Sequence, residues 1–462
     1  MKQTLIKYPN GFRAVLCSKQ TNTFSISTSI LFGAEQEKKN MSGITHFIER
    51  ILVSSISKDV ARIGGIVDSK TDYEHMEITI SSVRENLVKV VDTLTKILFD
   101  FRPTYEKFKE ERIKVLQEIE NRKNSPLAIL SELTQKNRYK TTSLATEMIG
   151  TTKSIMSLTV EDLREYYNSI LSPENLIVSI VGNISNEKEA DTLDADTESV
   201  NYYDDNKTAT DLKNISTWNE IKEDEKEIDK IVLKKYDQDN LNYIKDLVTK
   251  EIYARTINLK RAPRRRTTAY FPLKQTTIIE KNKNLNQSRF QISFPSAPYS
   301  STAYRYSKLF EIYLKNYLTK GLSGISGVYG LDIYVSQFKN NAHLNIVFAV
   351  DYEKAEEVYK KVIDLLEGQK QESTTTDEFN SVVLAYKTLI SLGHEKISDL
   401  AKRYNKWLFL KGELFNLTHE LKAISAMNYN SFRSVSKKIL NFDSMLVVYL
   451  GKPLEANALK IK

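Results

Sequence analysis

Alternating apolar and polar positions at the start of the chain predict three short β-strands followed by a helix. Residues 4–8 and 13–18 flank Pro9-Asn10-Gly11, a turn sequence typical of a β-hairpin. Residues 23–32 alternate and are rich in β-branched and aromatic side chains, which favours a third strand. The chain therefore opens with strands that can share one sheet.

The first half continues with a strand-like stretch, three helical stretches and a closing strand. In the helical stretches apolar residues recur every three or four positions, which is the period of an amphipathic helix. The predicted segments are a strand at 66–82, helices at 83–99, 105–122 and 158–170, and a buried-type strand at 176–181. Strands followed by blocks of helices are typical of an α+β layered domain rather than a parallel βαβ sheet.

The second half of the chain repeats this pattern at an offset near 268 residues. Four matches follow the same order in both halves, namely 75–83 with 343–351, 87–99 with 355–366, Phe108 with Phe379, and 176–182 with 445–451. A nearly constant offset favours a duplication. We therefore predict an α+β fold of two tandem homologous domains, each a mainly antiparallel sheet packed with helices on one side.

The domain boundaries follow from shifts in composition. Between residues 187 and 230 the chain has 15 acidic and 6 basic side chains and few large apolar ones, which indicates a mobile or added surface segment. We predict an N-terminal domain of residues 1–186 plus a helix at about 236–258, an acidic insert at 187–235, a basic hinge at 259–270, and a C-terminal domain of residues 271–462. The basic run is interpreted as a solvated linker; the alternative is that it docks on an acidic partner or on the acidic insert itself.

Charge and cysteine content limit the function classes. The net charge is +8, but the basic residues form no recognisable nucleic-acid motif, so we expect no nucleic-acid partner. The single Cys17 excludes a disulfide within the chain and fits a reducing compartment. We find no signal-peptide pattern and no run of 18 apolar residues, so we expect a cytoplasmic protein without a membrane span.

Residues 43–50, Gly-Ile-Thr-His-Phe-Ile-Glu-Arg, are the strongest chemical signal. A helical H-x-x-E-H motif places two histidines on one face as zinc ligands, with the glutamate as general base for the metal-bound water. Here His46 and Glu49 are present, but Arg50 occupies the position of the second histidine. A guanidinium stays protonated and has no lone pair to give a metal.

The chain resembles the inverzincin peptidases of the pitrilysin, insulinase and mitochondrial-processing-peptidase family, peptidase family M16, as a degenerate member. The matching segments are Pro-Asn-Gly-Phe-Arg at 9–13, Phe-Gly-Ala-Glu-Gln-Glu at 32–37 together with 43–50, Glu-Arg-Ile-Lys-Val-Leu-Gln-Glu-Ile at 111–119, and the pattern spread over 149–183. The tandem repeat of that family also matches the duplication.

This resemblance implies roles for further residues. Glu118 would be the third zinc ligand, and Glu111 would interact with the ligands without binding the metal. Glu49 would occupy the position of the general base. The family's substrate-holding tyrosine would correspond to Tyr329. The arginine expected seven residues earlier is replaced by Leu322, and the nearest cation is Lys320.

We hypothesise that Arg50 replaces the metal electrostatically by facing Glu118 and Glu111. If the set is buried, removing Arg50 would leave an unpaired charge and cost roughly 3–5 kcal/mol. Arg50→His alone should not restore activity. His75, on a strand expected near the site, is a weaker candidate for a substitute ligand.

The resemblance then implies a non-catalytic subunit of a heterodimeric M16-type zinc peptidase, which completes the chamber and binds substrate peptide for a catalytic partner with an intact H-x-x-E-H. We expect no cofactor on this chain. One alternative is an active zinc metallopeptidase with an altered ligand set, working as a homodimer. The other is a structural or peptide-binding subunit without a protease role.

Overall fold

The computed structural model describes residues 2–184, 197–202, 240–262, 274–371, 374–454 and 459. In the first half it contains seven strands and, up to residue 170, six α-helices. The strands are β1 Lys2–Lys7, β2 Arg13–Ser18, β3 Thr23–Ile30, β4 Ile66–Thr71, β5 Met76–Val83, β6 Leu176–Gly182 and β7 Thr197–Tyr202. The helices are α1 Ile44–Arg62, α2 Leu87–Phe99, α3 Tyr105–Lys123, α4 Pro126–Arg138, α5 Thr152–Ser157 and α6 Val160–Ile170.

The seven strands form one sheet in the order β4-β5-β3-β6-β2-β1-β7. Its neighbours are antiparallel except for the parallel pairs β2–β6 and β1–β7. Strand β4 lies at one edge and pairs with β5. The predicted strand at 66–82 is thus two strands, separated by a turn at residues 72–75.

The second half contains a five-stranded sheet in the order β10-β11-β9-β12-β8. Its strands are β8 Thr276–Lys281, β9 Gln287–Pro295, β10 Val328–Gln337, β11 Ala342–Asp351 and β12 Leu446–Gly451. Its helices are α9 Tyr304–Leu322, α10 Ala355–Gln371, α11 Thr376–Leu392, α12 Ile397–Lys411, α13 Leu417–Ser425 and α14 Tyr429–Ile439. The order β10-β11-β9-β12 follows the order β4-β5-β3-β6 of the first sheet, as expected for two homologous α+β domains.

The segment between the two halves is described in part. Strand β7 lies inside the predicted acidic insert, 187–235, and pairs with β1; the rest of that insert lies outside the described residues. The helix predicted at about 236–258 appears as α7 Asn240–Leu247 and α8 Ala254–Thr256, joined by a π-helical turn at Val248–Tyr253. Of the predicted basic hinge, residues 263–270 lie outside the described residues.

Each sheet packs one face against helices of its own half. The strands and helices meet through alternate apolar side chains, as the period-two and period-3.6 patterns require. The first core includes Ile26, Ile78 and Ile180 from the strands with Phe47, Ile51, Val91 and Leu94 from α1 and α2. The second includes Phe290, Ile292 and Ile346 with Leu314, Val358 and Phe379 from α9, α10 and α11.

The opposite face of each sheet is covered by a helix from the other half. Helix α12 packs on β3 and β6 of the first sheet, and α4 packs on β9 and β12 of the second. Neither helix was assigned from the sequence. Each half thus gives one helix to the sheet of the other half. This exchange of α4 and α12 joins the two halves into one structure, because each sheet is enclosed only when both halves are folded.

The face of the first sheet beneath α12 carries small polar side chains. Asn405 of α12 is fully buried and donates from Nδ2 to the Ser27 carbonyl at 2.9 Å and to Ser29 Oγ at 3.1 Å. Its Oδ1 accepts from Ser179 Oγ at 2.5 Å. One side chain therefore satisfies groups on both β3 and β6, which buried polar atoms require.

Helix α4 reaches the second sheet through Arg138 and leads directly to Tyr139. Arg138 is 1% exposed and donates to the carbonyls of Ser444, at 2.8 Å, and Ser293. The Tyr139 hydroxyl lies 2.9 Å from Nδ1 of His343 on β11. Burial and the nearby Arg138 guanidinium lower the pKa of His343 to about 3, so this imidazole is neutral in the folded protein.

A neutral buried His343 predicts an acid-sensitive fold. The folded pKa lies below the unfolded value near 6.5, so the unfolded chain takes up the proton first as the pH falls. Stability is therefore lost between about pH 6.5 and 3. From pH 7 to 5 we expect the wild type to lose about 2 kcal/mol more than His343→Gln, measured by urea unfolding. His419→Gln, at an exposed histidine, should follow the wild type; equal acid sensitivity of His343→Gln and wild type would contradict the prediction.

No helix in the described part of the chain is long and apolar enough to cross a membrane.

Candidate functional site

Helix α1 is held at its N-terminus by a glycine and a buried carboxylate. Gly43 has φ +86°, a left-handed conformation that side chains other than glycine rarely adopt. Glu37 accepts hydrogen bonds from the backbone N–H groups of Gly43 at 2.7 Å and Thr45 at 2.9 Å. Burial raises the pKa of Glu37 to about 7, although these hydrogen bonds oppose the shift. The site helix thus starts at a fixed point.

The position of His46 also depends on close contact between two glycines. A Cβ added to Gly43 would lie 2.5 Å from the Ile149 carbonyl oxygen and 2.6 Å from the Gly150 Cα. Gly150 likewise has φ +82° and approaches the Ser42 carbonyl closely. The loop before α5 therefore packs directly on the start of α1, three residues before His46.

Glu49 lies between helix α1 and the edge strand β4. It accepts hydrogen bonds from Ser69 Oγ and, at 3.3 Å, from Thr71 Oγ1. Its Oε2 lies 3.2 Å from His46 Nδ1. Burial alone would raise the pKa of Glu49, but the hydrogen bonds from His46 and Ser69 lower it overall. Glu49 is therefore ionised and fixed by neighbours on both elements.

His46 connects α1 to α3. Its Nε2 lies 3.0 Å from Glu118 Oε2, and its side chain is 11% exposed. Burial by itself lowers the pKa of His46, but hydrogen bonds and Coulombic attraction from Glu118 and Glu49 raise it to about 9. The same hydrogen bond lowers the pKa of Glu118. At neutral pH the imidazolium donates to both carboxylates.

Arg50 lies one turn further along α1 and bonds the two glutamates of α3. Its Nε lies 3.3 Å from Glu111 Oε2, and its Nη1 lies 3.4 Å from Glu118 Oε2. Glu111 is 1% exposed and also bonds Lys114 at 2.8 Å through its other oxygen. The structure thus brings together the five motif residues on α1 and α3. It also places the Arg50 guanidinium beside both acidic positions of α3.

This donor set does not fit a zinc ion. Catalytic zinc usually has three protein ligands and a water. Here Glu118 Oε2 is shared by His46 and Arg50, and the position of the second histidine ligand carries the permanent cation of Arg50, which has no lone pair. Within the described ranges, no group of three or more His, Cys, Asp or Glu side chains has the arrangement of a metal site.

The other two candidate residues lie elsewhere. His75 is the last residue of the turn before β5. Its Nδ1 lies 3.1 Å from Asp72 Oδ1, and its ring lies 6.3 Å from that of Phe409 on α12. It therefore faces the second half, on the side of the sheet opposite α1. Tyr329 is 45% exposed on β10, at the edge of the second sheet, with its hydroxyl 3.4 Å from Asp351 Oδ2.

The ion-pair cluster predicts a measurable loss on removal of Arg50. We expect Arg50→Ala to lose about 1–3 kcal/mol of unfolding free energy, because Glu111 stays buried with fewer partners. The value is below the 3–5 kcal/mol of a fully buried set, since the Arg50 side chain is 31% exposed. Arg62→Ala on the same helix, 78% exposed, is the control and should change stability by less than about 0.5 kcal/mol in urea unfolding. Equal losses in the two variants would refute a special role for Arg50.

The sequence did not identify three residues that support the site. Glu37 lies in residues 32–37, which carry the family resemblance, but the resemblance implies no role for it. Ser69 and Thr71 lie in a predicted strand, and the alternation of polar residues there gave no hint of a partner on α1. Pairing between a helix and the sheet edge is set by tertiary packing, so spacing along the chain does not reveal it.

Comparison with known proteins gives a match over the segment that contains this site. Residues 13–152, which include α1 and α3, match the family model described as Insulinase (Peptidase family M16). The uncharacterized zinc protease YmxG of Bacillus subtilis (strain 168) is 28% identical over 185 residues, 38% of this chain and 45% of that protein. The human mitochondrial-processing peptidase subunit alpha is 26% identical over 184 residues, 37% of this chain and 35% of that protein. The match thus spans less than half the length of these relatives.

Solved structures share the fold over nearly the whole chain. A protease from Helicobacter pylori aligns with a TM-score of 0.75 and 16% identity, covering 97% of this chain and 99% of that one. A peptidase M16 inactive domain from Pseudomonas fluorescens aligns with a TM-score of 0.77 and 13% identity, covering 98% of each chain. At this identity the structures establish the two-domain α+β fold, and the match to the model of peptidase family M16 covers residues 13–152 of the chain.

Proposed function

We propose that the chain is a non-catalytic subunit of a two-subunit M16-type peptidase, which completes the chamber and holds substrate peptide for a partner with an intact H-x-x-E-H. One observation carries the proposal. The Arg50 guanidinium lies 3.3–3.4 Å from Glu111 and Glu118, where a second histidine would complete a zinc site with His46 and Glu118. The acidic residues of the site are thereby neutralised by the chain itself.

The relatives support a subunit role. Two of the similar proteins are named as subunits of larger enzymes: mitochondrial-processing peptidase subunit alpha, and subunit 1 of the cytochrome b-c1 complex from Caenorhabditis elegans. A solved structure with the same fold is described as an inactive M16 domain. By analogy, the chain would act with a second M16 chain that supplies the metal.

The edge strand β4 is the surface proposed to bind peptide. It has one neighbour, β5, so its outer backbone groups can pair with an added extended segment. Ser69 of this strand bonds Glu49, so a peptide beside β4 would lie next to α1. Main-chain hydrogen bonds would supply affinity for many sequences, and pockets along the strand would supply selectivity.

The test compares the chain alone with the chain plus a partner. The full chain is purified, dialysed and analysed for metal by mass spectrometry, then assayed with a quenched fluorescent peptide. We expect far less than one zinc per chain and no cleavage. Mixed with an M16 chain that carries an intact H-x-x-E-H, it should form a heterodimer and raise the partner's kcat/KM at least about tenfold.

Other outcomes identify the alternatives. Stoichiometric zinc with peptide cleavage by the chain alone would mean an active metallopeptidase with an altered ligand set, acting as a homodimer. Stable association without any change in the partner's rate would mean a structural subunit. Arg50→His is the matched variant. It supplies the second histidine but not the substrate-holding arginine, whose position is Leu322, so it should remain inactive alone; full activity from this one change would show that Arg50 alone blocks the metal.

A further inference from the structure

A cavity of about 540 Å³ lies between the two halves, beside the edge strand β4. Residues 68–70 of that strand form one wall, and side chains of α9, α11 and α12 form the others. It is separate from the His46 cluster, because α1 packs on the opposite face of the first sheet. Volumes of this size are typical of sites that hold a small ligand or a large side chain.

The two faces of β4 have different neighbours. Ser69 and Thr71 bond Glu49 on α1, whereas Asp68 forms an ion pair with Lys402 of α12. Asp68 and Lys70 line the cavity. Side chains of paired strands stand side by side on the same face. An extended peptide paired with β4 would therefore direct alternate side chains towards α1 and towards the cavity.

The cavity wall is a continuous row of aromatic rings. Ring centroids of Tyr299 and Tyr304 lie 5.6 Å apart, those of Tyr304 and Trp407 6.2 Å, and those of Trp407 and Phe415 5.1 Å. The last two pairs meet edge to face, the geometry that aromatic side chains prefer. This surface offers a large apolar contact area to a guest.

Two acidic side chains that line the cavity are paired with basic side chains of the chain itself. Asp68 pairs with Lys402, and Glu420 pairs with Arg305 at 2.5 Å. Cations also lie against the rings, with Arg403 5.0 Å from the Phe415 ring and Lys406 5.3 Å from the Tyr299 ring. A cationic guest would meet these cations, and a carboxylate guest would compete with the matched acids. The chemistry favours an uncharged guest.

From these observations we infer that the cavity is a specificity subsite for one aromatic side chain of an extended peptide paired with β4. The inference rests on the proposed peptide-binding role and adds the class of residue that the chain selects. The selected residue is the one whose side chain lies on the same face of the sheet as Asp68 and Lys70. Its immediate neighbours in the peptide point to α1 and are not selected by this cavity.

The test uses nine-residue fluorescent host peptides of Ser, Thr and Val with Phe, Ala or Lys at the centre. Binding to the full chain is measured by fluorescence polarisation. The Phe peptide should bind about tenfold more tightly than the Ala peptide, as burial of a large side chain predicts, and the Lys peptide should bind no better than Ala. N-methylation of alternate amides in the Phe peptide should abolish binding by removing strand pairing.

Two variants on one helix locate the subsite. Ile390→Trp fills the cavity from α11 and should remove the preference for Phe, so that this variant binds the Phe and Ala peptides equally. Leu392→Trp, on the same helix and 62% exposed at the native leucine, should keep the preference.

The peptide series on the wild type decides the inference even if a variant fails to fold. Equal binding of Phe and Ala peptides, with N-methylation still abolishing binding, overturns the subsite and leaves strand addition intact. No binding by any peptide overturns both the subsite and peptide binding at β4. The partner's rate increase, measured separately, then still tests the subunit role.

Discussion

Gly43→Ala should lose about 3–5 kcal/mol of stability or prevent folding of the first half. Alanine at this position would have to adopt φ +86°, which residues with a side chain rarely do. Its Cβ would lie 2.5–2.6 Å from backbone atoms of residues 149 and 150, and backbone atoms cannot rotate away as the end of a flexible side chain can. The start of α1 would have to move, and His46 with it. Urea unfolding followed by circular dichroism measures the loss.

Gly64→Ala provides the matched control for conformation alone. Gly64 also has positive φ, +66°, but a Cβ there meets nothing within 4 Å. This variant should lose only about 1 kcal/mol, the cost of a left-handed alanine. The difference between the two variants then measures the close packing at Gly43. If both lose the same amount, contact with residues 149 and 150 does not position α1.

Asn405→Leu should lose about 2–4 kcal/mol. Leucine fills a similar volume but leaves the Ser27 carbonyl and the hydroxyls of Ser29 and Ser179 beneath α12 without their shared partner. Each buried polar group without a hydrogen bond costs about 1–3 kcal/mol, and local rearrangement recovers part of it. The loss should appear in urea unfolding of both halves, since α12 belongs to one half and covers the sheet of the other.

Lys437→Leu, at an exposed position of α14 outside the α12 interface, is the control. Its stability should stay within about 0.5 kcal/mol of the wild type. If Asn405→Leu is as stable as Lys437→Leu, the polar face beneath α12 does not hold the two halves together. A double variant with Ser179→Ala would show whether the loss is shared, because residues in one network are not additive.

Local patterns were sufficient to predict most elements of the first half and the duplication. The predicted helix at 105–122 is α3, and the one at 158–170 is α6. Thr159 is the N-cap of α6, and its side chain accepts a hydrogen bond from the Asp162 N–H. Packing between the halves was not predictable in this way. Ser25, Ser27 and Ser29 alternate with apolar residues on β3, a pattern typical of a face that meets solvent. All three are nevertheless buried, and Asn405 of α12 bonds Ser27 and Ser29. The covering helix lies hundreds of residues away, so neither local period nor propensity reveals the contact.

Sequence motifs were sufficient to predict the site residues that lie within one helix or within a family pattern. The spacing of His46, Glu49 and Arg50 puts them on one helix. The resemblance to M16 peptidases added Glu111 and Glu118, and the structure brings all five together. Tyr329 was chosen by the same resemblance, but it lies on the second sheet, bonded to Asp351, and its substrate role stays a prediction. Helix periodicity determines which residues of one helix lie on the same face. The distance between residues of different domains, such as His46 and Tyr329, depends on the whole fold.

The exchange of α4 and α12 has a consequence for synthesis of the chain. Strands β3 and β6 are complete by residue 182, whereas α12 begins at residue 397, more than 200 residues later. During translation the serine-rich face of the first sheet therefore stays exposed to solvent until most of the second half has been synthesised. Helix α4 is synthesised early and likewise lacks its packing surface until β9 and β12 have been synthesised. A chain stopped before α12 would leave helix α4 without its sheet and would expose the apolar side chains that α12 covers, among them Leu5, Val15 and Ile177. Exposed apolar surface of this kind binds chaperones and the same segments of a neighbouring copy.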